Sequence, residues 1–224
     1  MTARTLIGAM LALGLLAACG EEDIILPGER FDVRPTAVFA NQALPVGLPQ
    51  ARVNAAWTHR NGGPGHQITH PALAATLVPA FVAEIGEGDS RRARITSEPV
   101  VEDGVIYTVD ARATVAATDT NGQRLWSRSL ASTRDGAGDA SGGGVSVGGG
   151  QVYVTTGFGE ITALDATTGQ VRWVQDLDAP VTAGPTLRGD LVYVVSRDST
   201  AWALQTSNGR ISWQRSGTPS EANF

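Results

Sequence analysis

One short pattern is written three times along the chain. Ala113–Trp126 reads ATVAATDTNGQRLW, Gly159–Trp173 reads GEITALDATTGQVRW, and Ser199–Trp213 reads STAWALQTSNGRISW. Each copy alternates apolar and polar residues, turns on a glycine and ends on tryptophan. Ahead of each lies a short β-branched and aromatic run: GVIYTVD at Gly104–Asp110, QVYVTT at Gln151–Thr156, and LVYVVS at Leu191–Ser196. The tyrosines Tyr107, Tyr153 and Tyr193 recur at intervals of 46 and 40 residues. The glycines Gly122, Gly169 and Gly209, like the tryptophans Trp126, Trp173 and Trp213, recur at 47 and 40. A period of about 40–47 residues carrying several short strands predicts the blades of a β-propeller, an all-β fold.

Each unit reads as a four-stranded sheet. An apolar strand near Pro99–Val101, Gly143–Val147 or Gly184–Leu187 opens it. The tyrosine strand follows, then the ITALD-type strand, then the strand holding the tryptophan. DATTG and TSNG are hairpin turns, in which Asp, Asn and Gly supply the positive φ angles required. The tryptophan is expected between neighbouring sheets, where its large apolar area closes the gap. Phe81, 45 residues before Trp126, is the candidate for the same position ahead of the first unit. Trp57 is too close to Phe81 for a whole blade between them, and is assigned to an N-terminal strand that completes a late blade. The repeats span about 97–134, 143–180 and 184–216, within a partial propeller over 51–224. The Gly-rich stretch Thr133–Gly144 has the composition of a loop. Propellers close with about 4–8 blades, so three units predict an incomplete ring and an N-terminal fragment of a longer protein.

The first 18 residues are a different kind of segment. Arg4 gives a short positive start, and Leu6–Leu16 is an apolar run of signal-peptide length, too short for a membrane anchor. It ends in Leu16-Ala17-Ala18-Cys19. Small residues before a cysteine at that place resemble a bacterial lipobox, which implies cleavage before Cys19 and lipid attachment to it. An ordinary secretory signal cut at Ala18 is the alternative. Gly20 rather than Asp follows, which favours the outer membrane over retention at the inner one. Residues 19–50 mix Pro, Gly and charge without periodicity and read as a flexible tether.

Composition excludes several chemistries. The 17 basic residues are all arginine, which removes a Schiff-base lysine and a phosphate-loop lysine. A net charge of −5 with no dense basic stripe gives no basis for nucleic-acid binding. The single cysteine permits no internal disulfide. His66 and His70 are four apart, a metal-binding spacing on a helix, but GGPGHQITHP is bounded by Gly and Pro. With His59 they are expected to be loop histidines making local hydrogen bonds, with no nucleophile to serve. The glycines of 136–150 precede a strand rather than a helix, so a phosphate-binding loop is not supported.

The motif V-Y-V-x-x…A-L-D-A-x-T-G-x-x-x-W resembles the repeat of propellers named for pyrroloquinoline quinone (PQQ). Two branches carry it: the quinoprotein dehydrogenases, and the BamB family of outer-membrane assembly lipoproteins. SGGGVSVGGGQVYVTTGFGEITALDATTGQVRW, HPAL at His70–Leu73 and the lipobox at Cys19 are together more similar to BamB. That resemblance implies an eight-bladed propeller without cofactor or catalytic residues. It implies a periplasmic scaffold, lipid-anchored to the outer membrane, that docks on POTRA domains of the barrel-forming subunit BamA within the Bam complex. It also implies part of the partner surface in a loop after the third unit, here Ser216–Phe224, which holds Thr218, Ser220, Glu221, Asn223 and Phe224. The family's contact residues are not evident there, so only the location carries over. A lipid-anchored PQQ-dependent dehydrogenase or PQQ-like sensor is the alternative. It needs a carboxylate near Ca²⁺, polar cofactor ligands and usually a vicinal cysteine pair. Asp165 recurs as Asp119 but becomes Gln205 in the third unit, a pattern that fits turn chemistry better than metal binding.

Overall fold

The computed structural model describes residues 28, 45–91, 93–131 and 142–218. The chain divides into two units, Met1–Val46 and Gly47–Phe224; the second carries all of the regular structure described here. Its twelve strands form three four-stranded antiparallel sheets, each a simple meander. The first holds β1 (Val100–Glu102), β2 (Val105–Val109), β3 (Thr114–Asp119) and β4 (Arg124–Ser129). The second holds β5 (Gly143–Gly148), β6 (Gln151–Thr156), β7 (Glu160–Asp165) and β8 (Val171–Asp176). The third holds β9 (Thr186–Arg188), β10 (Leu191–Val195), β11 (Thr200–Gln205) and β12 (Ile211–Ser216). These are four-stranded propeller blades, all-β as the repeat predicts, and no helix occurs among the described residues.

One row of residues repeats across every blade. Tyr107 pairs with Ala117 and Ala117 with Trp126; Tyr153–Ala163–Trp173 and Tyr193–Ala203–Trp213 follow the same register. Alanine in the middle strand leaves the two flanking rings free to meet over it. Their centroids lie 6.0, 5.9 and 6.1 Å apart at tilts of 43°, 54° and 51°, within the favourable range for aromatic pairs. Just past that alanine each blade carries the same irregularity, at Ala117/Thr118, Ala163/Leu164 and Ala203/Leu204. An extra residue there strengthens the local twist of the last strand.

Period-two alternation divides each sheet between two seams. Val152 and Val154 of β6 pack towards the first blade with Val100, Tyr107, Val109 and Val115. Tyr153, between them, packs towards the third blade with Leu177, Val192, Val194, Trp202 and Leu204. Both faces of the middle blade are therefore dry, and its core positions are apolar on both sides. Each valine or leucine so buried contributes ~1.5–3 kcal/mol.

The opening strands approach each other closely. A Cβ on Gly144 would come 2.5 Å from Gly184 Cα, so only glycine permits this backbone contact between β5 and the run into β9. Gly143–Gly148 thus forms the innermost strand of its blade, and the Gly-rich loop composition ends earlier. Most of Thr133–Gly144 lies outside the described residues. Trp57 also differs from its expected place. It forms an antiparallel bridge with Val101 on the free edge of β1, rather than completing a late blade.

Candidate functional site

The repeated Gly and Trp residues meet across the seams. The indole of Trp126 lies against Gly169 of the next blade, and that of Trp173 lies against Gly209. Trp126 Nε1 donates to Ala166 O at 2.9 Å, and Trp173 Nε1 donates to Thr206 O at 2.8 Å. Tyr107 Oη donates to the same Ala166 carbonyl at 3.3 Å, and Arg128 Nε to Gly169 O at 3.1 Å. Each hairpin turn is thereby a socket for the preceding blade's tryptophan. Phe81 takes the equivalent place on Gly122, its Cδ2 2.9 Å from where a Cβ would sit. Trp173 is 8% exposed, whereas Trp213 is 45% exposed and no carbonyl among the described residues is bonded to its indole.

The acidic residues of the repeat act as turn acceptors. Asp119 Oδ1 accepts from the amides of Asn121 and Gln123 at 2.9 and 2.8 Å. Those amides, that of Gln123 foremost, hold its carboxyl below the usual range. Asp165 Oδ1 accepts from Thr167 N, Thr168 N and Thr168 Oγ1, while Oδ2 meets the Arg172 guanidinium. Arg172 first, then Thr168, lowers the Asp165 pKa to about 2. Gln205 keeps the main-chain turn, with Gly209 N donating to its carbonyl at 2.9 Å, while Asn208 takes over the side-chain bonding to Arg210 N. Asp198 is likewise lowered, by the hydroxyls of Ser196 and then Thr200. Among the described residues, no group of three or more His, Cys, Asp or Glu gathers as a metal would require.

The histidines do more than the sequence indicates. His70 bonds 21 residues back along the chain, its Nδ1 2.6 Å from Pro49 O. His59 and His66 instead reach across the molecule to β9. His59 is 3% exposed, and its Nε2 accepts the Leu187 amide at 2.9 Å. A ring nitrogen that accepts carries no proton, so Nδ1–H faces Thr58 Oγ1 at 2.8 Å. Burial, then the neighbouring His66, lowers its pKa to about 4. The two imidazoles meet edge to face at 6.0 Å. His66 donates from Nδ1 to Arg60 O at 2.9 Å and its Nε2 lies 2.8 Å from Thr186 Oγ1. The spacing of His66 and His70 carries no trace of this, because the contacts are to residues over a hundred positions away.

A cavity of about 390 Å³ opens beside His66, lined by Arg60, Asn61, Thr186, Tyr193 and Val195 among others. Tyr193 and Val195 lie on the sheet face whose counterparts in the other blades, Tyr107 and Val109 for example, are buried in a seam. The cavity is thus half loop and half uncovered seam. Its lining includes the Thr186 hydroxyl, which lies 2.8 Å from His66 Nε2. Thr218, in the expected partner loop, is exposed. Cys19, Ser220, Glu221, Asn223 and Phe224 lie outside the described residues.

Comparisons with known proteins bear on the same repeats. Residues 111–224 match a family model described as outer membrane protein assembly factor BamB. The chain is 36% identical over 100 residues to quinohemoprotein alcohol dehydrogenase ADH-IIG of Pseudomonas putida, covering 42% of this chain and 14% of that protein. It is 27% identical over 103 residues to outer membrane protein assembly factor BamB of Moranella endobia (strain PCIT), covering 41% of this chain and 26% of that protein. The solved structure of ADHIIG from P. putida HK5 aligns with a TM-score of 0.57 at 23% identity, over 72% of this chain and 26% of that one, a likeness of fold. The chain therefore spans a small part of the relatives it matches. With just over half of its own length matched by the family model, the chain belongs to the PQQ-like repeat family described as outer membrane protein assembly factor BamB.

Proposed function

We propose that the protein is a scaffold of the outer-membrane β-barrel assembly machinery rather than an enzyme. In this reading Cys19 carries the lipid that anchors it to the periplasmic face of the outer membrane. The propeller binds the POTRA domains of a BamA-like subunit and assists insertion of outer-membrane proteins. One observation carries the reading: the repeat's chemistry-bearing side chains are engaged in building blades. Asp119 and Asp165 close turns, while Trp126 and Trp173 dock on Gly169 and Gly209. That leaves loops and edges for recognition, the surfaces a rigid scaffold offers. The loop after the third blade, from Thr218 to Phe224, is the proposed part of the partner surface. Co-purification of the tagged full-length protein with the barrel-forming subunit tests it. Recovery of the propeller without that subunit, under conditions that preserve the rest of the complex, would overturn it.

The greater identity to the dehydrogenase, 36% against 27%, favours a second reading as a quinoprotein. A tricarboxylate quinone and its divalent cation need converging cations, hydroxyls and a carboxylate. The inner strands described carry Glu102, Ser146, Thr186 and Arg188 beside Val100, Val101, Val145, Val147 and Leu187. PQQ-dependent reduction of an artificial electron acceptor by the full-length protein is the outcome that would favour this reading over the scaffold.

A further inference from the structure

The free inner edges of the three blades are met by three consecutive residues of the N-terminal segment. Trp57 N donates to Val101 O at 2.7 Å, and Val101 N donates to Trp57 O at 2.8 Å. The next residue, Thr58, accepts the Val147 amide at 3.0 Å through its carbonyl. His59 then accepts the Leu187 amide at 2.9 Å through Nε2. Val101, Val147 and Leu187 are equivalent positions: each pairs with the residue just before the blade's tyrosine, Ile106, Val152 and Val192. One stretch of chain therefore takes the same inner-edge N–H from β1, β5 and β9 in turn.

The switch from carbonyl to imidazole at the third blade has a local cause. His59 N donates to Gly62 O at 3.3 Å and Gly62 N donates to His59 O at 3.0 Å, closing a tight turn. The main chain of His59 is thus already engaged, and its side chain is what remains to meet Leu187. Two residue steps span at most ~7 Å. A segment that short reaches three blades only because the inner strands converge, as the Gly144–Gly184 contact demonstrates.

We propose that Trp57–His59 is an axial clasp that holds the inner edges of the three blades together and closes that row of amides to any other strand or cofactor. His59 is the positioning residue of the clasp, through its unprotonated Nε2. The clasp goes beyond the scaffold reading, since it stands or falls whatever the partner is. It directs recognition to the outer edges and loops.

Amide-resolved hydrogen exchange on the full-length protein tests this. The Val101, Val147 and Leu187 amides are expected to be protected together. His59→Ala is expected to speed exchange at Leu187 by about tenfold or more, the loss of one buried hydrogen bond, with Val154 in the middle strand unchanged. His59→Gln keeps an acceptor near the Nε2 position and is expected to restore protection at Leu187. Unchanged exchange at Leu187 in His59→Ala would overturn the clasp. If that variant does not fold, the wild-type protein decides, because exchange at Leu187 as fast as at an exposed amide overturns the clasp equally.

Discussion

Trp173 lies flat on Gly209 of the following blade, so close that a Cβ on the glycine would come within 2.5 Å of the indole Cε3. The glycine also sits at φ +74°, a left-handed conformation that L side chains rarely adopt. Two separate demands therefore meet on one residue, the turn and the socket. Gly169 meets the same pair of demands beneath Trp126, at φ +68°.

These demands separate by mutation. Gly189 has φ +61° but open space around it. Gly189→Ala is expected to cost about 1–2 kcal/mol, the conformational penalty alone. Gly209→Ala is expected to cost that plus ~1–3 kcal/mol for displacing the indole. Urea denaturation of the two variants checks it. Equal losses would mean that the indole shifts aside freely.

The tryptophans, identical in the repeat, are expected to differ in energetic weight. Trp173→Ala should destabilise by ~3–5 kcal/mol, because a buried aromatic is removed from a packed seam. Trp126→Ala should cost less, because its ring is only half-buried where it docks on Gly169. Trp173→Phe is expected to fall between the extremes. It retains apolar contact, as Phe81 does on Gly122, but leaves the Thr206 carbonyl without the indole donor. Thermal denaturation of the three variants ranks them.

Acid sensitivity is expected to be traceable to His59. Its pKa is lowered to about 4 in the folded protein, below the 6.5 of an unhindered imidazole. Below pH 6.5 the unfolded chain binds the proton more readily, so His59's contribution is complete above that pH and is lost as pH falls towards 4. The loss amounts to at most about 3 kcal/mol. His59→Gln should flatten the stability profile between those two pH values. A wild-type profile that stays flat there would show that the imidazole is not buried.

At the second hairpin, Arg172 is expected to control the titration of Asp165. The carboxyl's pKa of about 2 arises first from Arg172. Because the folded value lies below the unfolded one, near ~3.9, the stabilisation is present above that pH and lost as pH falls through about 2. Arg172→Ala should raise the midpoint without abolishing the shift, since the Thr168 bonds remain. Carboxyl-detected NMR titration reads this directly.

If Cys19 carries the lipid anchor of the proposed scaffold, Cys19→Ala should move the protein from the membrane fraction to the soluble periplasmic one. Fractionation followed by immunodetection is the measurement, and retention in the membrane pellet would count against the anchor.

The repeat was legible in the sequence because its causes are local. Alternation with period two, an aromatic at a set place in the second strand and a turn on glycine place Val105–Val109, Gln151–Thr156 and Leu191–Val195 as strands without reference to any distant residue. The turn role of Gln205 was legible too, since the main-chain turn persists where Gln replaces Asp. Phe81's place on Gly122 followed from its spacing alone. What only the tertiary structure decided are the contacts whose partners lie far along the chain. Nothing near Trp57, Thr58 or His59 signals that they meet Val101, Val147 and Leu187, because the free inner edges that receive them exist only once the blades have assembled. The same holds for the unequal burial of Trp126 and Trp173: one motif specifies one local conformation, but burial depends on what packs against it.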